Sequence, residues 1–395
     1  MKLLIYSHFF APSVGGVETI VLSLARGLAD LRKADGAPEF NLTVATQAAA
    51  EHLDDSALSF PVVRRPNLAE LWRLVRSSDV IHIAGPSLAP LLFGWLTRKP
   101  AVVEHHGYQA ICPNGVLIYQ PDGTICPGHF QARRYWNCWR CENCRLPRHR
   151  SLLSVLLTLL RSWLVWRAAK NLAITRHVLE RHNFPRAKIL YYGIQDAALE
   201  GDLGTSARNM PKRISFAFVG RFVPEKGIPI LLQATRLLMT EGEPFEVRLI
   251  GDGPERARLE GLIGQDELQN HVRITGYLAG SALVEELRSV QVVVMPSVWE
   301  ETAGLAAIEQ MMRGRLVIAS DIAGLSEVLG DTGLRFAPGN AVALAECMRR
   351  VLREPALVEA MGREARLRAL SLFARSRMID EHRSVYREAL ENAAR

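Results

Sequence analysis

No apolar run in the 395-residue chain reaches the ~18 residues that a membrane-spanning helix needs, so no such helix is expected. A charged start followed by an apolar core is also missing. Residues 2–7 read directly as a strand, and no cleaved secretion signal is expected. A cytoplasmic setting follows, in which the six cysteines stay reduced unless they bind metal. Acidic residues are nearly absent between Gln131 and Lys170, where eight Arg and one Lys face the single Glu142. That window carries +8 and the whole chain +7, so the remainder sums to about −1. Four of the seven Trp (Trp136, Trp139, Trp163 and Trp166) share the window, and an anionic partner other than a small ligand should meet the chain there. No internal sequence repeat is visible.

The rest of the composition, 48% apolar and 23% charged, is that of a globular protein long enough for two domains. In the first half, strands at 2–7, 42–46, 79–84, 100–106, 171–175 and 188–192 alternate with helical stretches. In the second, strands at 214–220, 246–251, 272–275, 290–295 and 315–320 do the same. Such alternation implies parallel βαβ units. The expectation is an α/β chain of two Rossmann-like, doubly wound parallel-sheet domains facing each other across a cleft. Its parts are 1–195 with a Cys-rich insertion at 107–147, a linker near 195–213, a second domain over 212–372, and a last helix at 373–395 that packs back on the first domain.

The densest chemistry lies at Met295 to Glu309, M-P-S-V-W-E-E-T-A-G-L-A-A-I-E, read as a strand end, a loop and a helix start near Gly304. Glu301 and Glu309 stand eight positions apart, roughly 12 Å if the segment were helical throughout. A pair attacking one glycosidic bond needs about 5 to 9.5 Å. Two grips on one extended ligand fit better, and the helix start between them favours phosphate. Arg221 and Lys226 follow another strand end and can hold a diphosphate. Gly251 and Gly253, in G-D-G-P, let backbone approach a nucleotide, and Gly15 and Gly16 lie where a doubly wound sheet binds phosphate. His106 ends a first-domain strand.

Taken in order, G-G-V-E, H-G-Y-Q-A-I-C-P, G-R-F-V-P-E-K-G, G-D-G-P, E-T-A-G-L-A-A-I-E and V-I-A-S-D-I-A-G-L-S-E resemble glycosyltransferase family 4, retaining enzymes of the GT-B fold, across nearly the whole chain. The resemblance implies a nucleotide-diphosphate sugar donor held mainly by the second domain. Arg221 and Lys226 would take the diphosphate, Glu309 the ribose and Glu301 the hydroxyls of the transferred sugar, with Ala303, Gly304 and Leu305 at the signature helix start. His106 would contact the sugar from the first domain, while Gly15 and Gly16 approach the phosphates. It implies no catalytic metal, and an acceptor that is a saccharide or a lipid-linked saccharide. Ala303, Leu316, Tyr192-Gly193 and Ala323-Gly324 depart from the family pattern, which leaves the sugar and the nucleotide open.

Cys112, Cys126, Cys138, Cys141 and Cys144 fall within thirty-three residues and include two C-x2-C steps. Four thiolates on one tetrahedral zinc would staple a loop with little core of its own. Cys112, Cys126, Cys138 and Cys141 are the preferred set, with Cys144 as substitute. Free thiols and an iron–sulfur cluster stay open, the latter disfavoured by the missing C-x3-C-P continuation. A subset of the resembled family carries a similar loop. The apolar stretch from Ser151, flanked by Arg and paired Trp, reads either as a buried helix or as a helix on an anionic membrane surface. An epimerase or phosphorylase of the same fold, or a zinc-containing nucleic-acid binder, are the alternatives to a glycosyltransferase; the second-domain motifs speak against a nucleic-acid partner.

Overall fold

In the computed structural model of the chain, residues 1–12, 15–50, 54–200 and 213–394 are described. They form two compact units, Met1–Ile194 with Arg375–Arg395, and Gln195–Ala374. Most of the expected linker, at 201–212, lies outside the described residues.

The first unit runs β1 (Lys2–Ser7), α1 (Gly16–Ala29), β2 (Asn41–Thr46), β3 (Val62–Arg64), α2 (Leu68–Ser77), β4 (Val80–Ala84), α3 (Leu88–Leu96), β5 (Ala101–His105), β6 (Ile118–Tyr119), β7 (Thr124–Ile125), α4 (Tyr135–Asn143), α5 (Arg148–Trp166), β8 (Lys170–Ala173), α6 (Arg176–His182) and β9 (Ala187–Ile189). Its seven-stranded sheet has the order β3-β2-β1-β4-β5-β8-β9, with every pair parallel. Strands such as β4 and β5 are buried at every position, as expected where helices cover both faces. The order reverses between β1 and β4. The Cys-rich insertion leaves the sheet after β5, forms the β6-β7 hairpin and α4, and returns through α5.

The second unit runs β10 (Ile214–Val219), α7 (Ile228–Met239), β11 (Phe245–Ile250), α8 (Arg256–Gln265), β12 (Val272–Gly276), α9 (Gly280–Arg288), β13 (Val292–Met295), α10 (Leu305–Met312), β14 (Leu316–Ser320), α11 (Ala323–Leu329), β15 (Leu334–Phe336), α12 (Ala341–Arg353) and α13 (Ala356–Leu372). Its parallel sheet has the order β12-β11-β10-β13-β14-β15, so its switch point falls between β10 and β13. Phe216, Phe218, Phe222, Phe245 and aliphatic residues of β11, β13 and β14 fill one core.

The last helix, α14 (Arg375–Ala394), packs on α1, β4 and β5 of the first unit. Its buried Met378, His382, Val385, Tyr386 and Ala389 recur at helical spacing and make one stripe. Gly27 on α1 lets it approach, because a Cβ there would lie 2.0 Å from Ile379 Cδ1.

Candidate functional site

β10 and β13 pair in parallel, Phe216 with Val292 and Ala217 with Val293, so the loops leaving their C-terminal ends lie side by side. Ligands of doubly wound sheets bind at such a reversal. The two loops touch through backbone: Val298 N–H donates to the Glu225 carbonyl at 3.0 Å. Gly227 has φ 65°, and a Cβ on it would sit 2.0 Å from the Pro296 oxygen, so this crossing needs glycine.

Three side chains meet there. Lys226 Nζ donates to Glu301 Oε1, and Ser297 Oγ donates to the same oxygen at 2.7 Å. Glu301 is only 5% exposed. Burial alone would push its carboxyl up, but the Lys226 ammonium and the Ser297 hydroxyl bring it below the usual carboxylate value. The sequence reading gave Lys226 and Glu301 separate ligand duties, whereas the fold pairs them, since a buried carboxylate needs a cationic partner. Ser297 was missed, although it stands four positions before Glu301. Arg221 is exposed beside this cluster on the β10 loop, and its guanidinium has no side-chain partner among the described residues.

Gly304 caps α10 in the left-handed region, φ 76°. The helix begins at Leu305, so only four of the eight steps from Glu301 to Glu309 are helical, and the 12 Å estimate for a continuous helix does not apply. Glu309 is half-buried on the second turn of α10, and Ala303 is buried in the preceding loop. Gly251 and Gly253 have φ 145° and 158°. A Cβ on Gly251 would lie 1.9 Å from the Gly220 oxygen, and one on Gly253 2.5 Å from the Phe222 oxygen. Their lack of a side chain thus serves the packing of the β11 loop on the β10 loop.

In the first unit, Gly16 opens α1 and Gly15 is its cap. A Cβ on Gly15 would meet Glu18 Oε2 at 2.4 Å, so the Glu18 carboxylate sits at the helix start where phosphate was expected. His106 turns inward: Nδ1 lies 2.8 Å from the Tyr192 hydroxyl and Nε2 3.5 Å from Glu104 Oε2. Burial lowers its pKa.

The fold brings Cys112, Cys126, Cys138 and Cys141 to one small cavity, joined by His129 and Asn114. Asn114 accepts from Cys112 Sγ at 2.9 Å, and Gln120 N–H points at Cys141 Sγ at 3.3 Å. Burial, and then the neighbouring thiols, push Cys138 up to about 12, while burial takes Cys141 to about 11. Cys144 is exposed and does not line the cavity. Four soft donors with backbone N–H support fit a zinc ion.

α5 is half-covered. Ser151, Val155, Thr158, Leu164 and Val165 are buried, while Leu152, Leu153 and Leu156 are each 52% exposed, with Leu160, Trp163, Trp166 and, on α4, Trp136 also exposed. Arg145, Arg148 and Arg150 flank them in exposed positions. No helix among the described residues is long and apolar enough to cross a membrane.

The two parallel-sheet units place the chain in the GT-B class of folds. It superposes on the crystal structure of Anabaena Alr3699/HepE in complex with UDP with a TM-score of 0.71 at 17% identity, covering 97% of this chain and 99% of that one. Residues 206–368 match the family described as Glycosyl transferases group 1, a match that falls on the second unit. The chain is 36% identical over 151 residues to 2-deoxystreptamine glucosyltransferase of Streptomyces kanamyceticus, which is 38% of this chain and 39% of that protein. It is 31% identical over 173 residues to alpha-D-kanosaminyltransferase of the same organism, 43% of this chain and 45% of that protein. The chain thus spans less than half the length of these relatives.

Proposed function

We propose that the chain is a retaining hexosyltransferase that moves a sugar from a nucleoside diphosphate donor to a saccharide or lipid-linked acceptor, in surface polysaccharide or glycolipid synthesis. The observation that carries this reading is the meeting of Lys226, Glu301 and Ser297 beside the exposed Arg221, at the switch point of a group 1 domain. Solved complexes of the similarly folded HepE with UDP and with UDP-glucose support a nucleotide-sugar donor.

Arg221 and Lys226 hold the diphosphate, whose negative charge grows as the anomeric C–O bond breaks. Lys226 then shares its charge between Glu301 and phosphate, and Glu301 turns its free oxygen to the sugar hydroxyls. The N–H groups at Gly304 and Leu305 supply further positive potential, and Glu309 takes the ribose. Two cations and a helix start do this without a metal, and the leaving phosphate accepts the acceptor's proton. In the first unit, Gly15, Gly16 and His106 are ligand contacts in this reading, with Glu18 and the inward partners of His106 yielding when a ligand binds.

Structural zinc at Cys112, Cys126, Cys138 and Cys141 holds the insertion. The leucine and tryptophan face of α5, framed by arginines, rests on an anionic cytoplasmic membrane surface and brings the enzyme to a lipid-linked acceptor. The test is calorimetry against UDP, GDP and ADP and their sugar conjugates, followed by NMR of the product's anomeric configuration. Absence of binding across that panel sinks the transferase reading, and an inverted product sinks retention.

A further inference from the structure

The first unit holds a second cluster of metal-ligating side chains, remote in sequence from the cysteines. His82 on β4, Glu104 on β5 and His382 on α14 are fully buried, and one ligand atom from each lies within 4.8 Å of the other two. His82 Nε2 is 3.3 Å from Glu104 Oε2, and His382 Nε2 is 3.8 Å from Glu104 Oε1. Neither carboxylate oxygen nor either Nε2 makes a hydrogen bond. Four polar atoms with water excluded and no hydrogen bond are costly unless something unites them.

The outer nitrogens fix what those inner atoms are. His382 Nδ1 lies 2.8 Å from the Met378 carbonyl, an acceptor only, so Nδ1 carries a proton and Nε2 is the nitrogen free to face a metal with its lone pair. His82 Nδ1 lies 3.0 Å from the Tyr386 hydroxyl, which lets it donate there in the same way. Two imidazole lone pairs and a carboxylate then converge on one point. An outer N–H given to a carbonyl or hydroxyl is the usual support of a metal-bound histidine. A proton on one Nε2 satisfies one pair at a time, whereas a cation at the centre satisfies all three.

We propose that His82, Glu104 and His382 bind a divalent transition metal of the zinc type, fastening α14 to the centre of the first sheet. Mixed nitrogen and oxygen donors suit zinc and disfavour magnesium and calcium, which take oxygen. Bonds of about 2.0–2.2 Å imply ligand separations of roughly 3.3 Å in a tetrahedron, so the three ligand atoms, now within 4.8 Å of one another, draw together when the ion binds. His106 Nε2, 3.5 Å from Glu104 Oε2, is the nearest candidate for the fourth position. His106 is shared with the glycosyltransferase reading, but the test of this site needs no substrate, so the two stand or fall separately.

The experiment is elemental analysis of the full chain, expressed in zinc-supplemented medium and purified without chelator or metal-affinity resin. The wild type is compared with His82→Gln, Glu104→Gln, His382→Gln and a Cys138→Ser/Cys141→Ser variant. Each of the first three should lose one zinc per chain relative to the wild type, and the thiol variant should keep that ion. Where a variant does not fold, wild-type crystals decide: anomalous difference maps at the zinc edge should show a peak between His82, Glu104 and His382. Unchanged zinc content in folded His382→Gln protein, or a map with no peak there, overturns the proposal.

Discussion

Arg221 carries a charge held by no side-chain partner among the described residues, at a strand end where phosphate would arrive. Its substitution, Arg221→Ala, should leave thermal stability unchanged and weaken nucleoside diphosphate binding in calorimetry by about 1.5 to 3 kcal/mol, the worth of a lost charge-assisted bond; equal affinity would remove it from the site. Glu301 behaves differently because its folded pKa is depressed below its unfolded value near 4.5. Its contribution to stability is therefore present above that pH and lost as pH falls through the folded value, where the unfolded chain takes up the proton first. Urea unfolding below pH 5 should show a flatter acid limb in Glu301→Gln than in the wild type. The sequence made the charges of Arg221, Lys226 and Glu301 legible, but not that Lys226 and Glu301 neutralise each other across 75 positions. The Glu104–His382 approach was equally invisible, since nothing local in either residue's neighbourhood predicts a partner from the far end of the chain. Gly251 and Gly253 were found for their backbone freedom, yet only the coordinates show that it is used against neighbouring backbone.

At the level of elements, helices and long strands announced themselves through periodicity. β3 and β15, three residues each, did not, because so short a run shows no alternation and gains its hydrogen bonds from a neighbouring strand. The apolar stretch in α5 could not be assigned from its sequence because its buried and exposed faces are nearly equal in hydrophobicity; the fold buries one face and leaves leucines exposed on the other. Leu152→Ser/Leu153→Ser/Leu156→Ser should weaken sedimentation with anionic vesicles on the order of tenfold or more without lowering the melting temperature; unchanged sedimentation would remove α5 from the membrane. On α14, Met378 is fully buried and its sulfur accepts the Gly193 N–H at 3.1 Å. Met378→Ala should destabilise the first unit by about 2 to 5 kcal/mol, seen as a lowered calorimetric transition for that unit alone.

Over the whole molecule, the excess of positive charge is local: the forty residues from Gln131 to Lys170 account for all of it. Vesicle binding should therefore weaken steeply between 50 mM and 500 mM salt, as the screening length falls from roughly 14 Å to about 4 Å, while donor affinity measured in parallel changes far less. The composition and rhythm of the chain foretold two parallel-sheet units, and the cysteine set preferred from sequence, without Cys144, is the one that lines the cavity; that α4 buries Cys138 and Cys141 was not legible.

Because α14 belongs to the first unit although it follows the second in sequence, the order in which the two units begin along the chain is the reverse of the order in which they can finish. The second unit has all its residues once Ala374 has emerged. The first must wait from Ile194 until Arg375 and beyond, which at ~5–20 residues per second is about 10 to 40 s of synthesis. During that interval the faces of α1, β4 and β5 that α14 will cover are open to solvent. A ribosome stalled after Ala374 would thus hold a finished second unit joined to an unfinished first one.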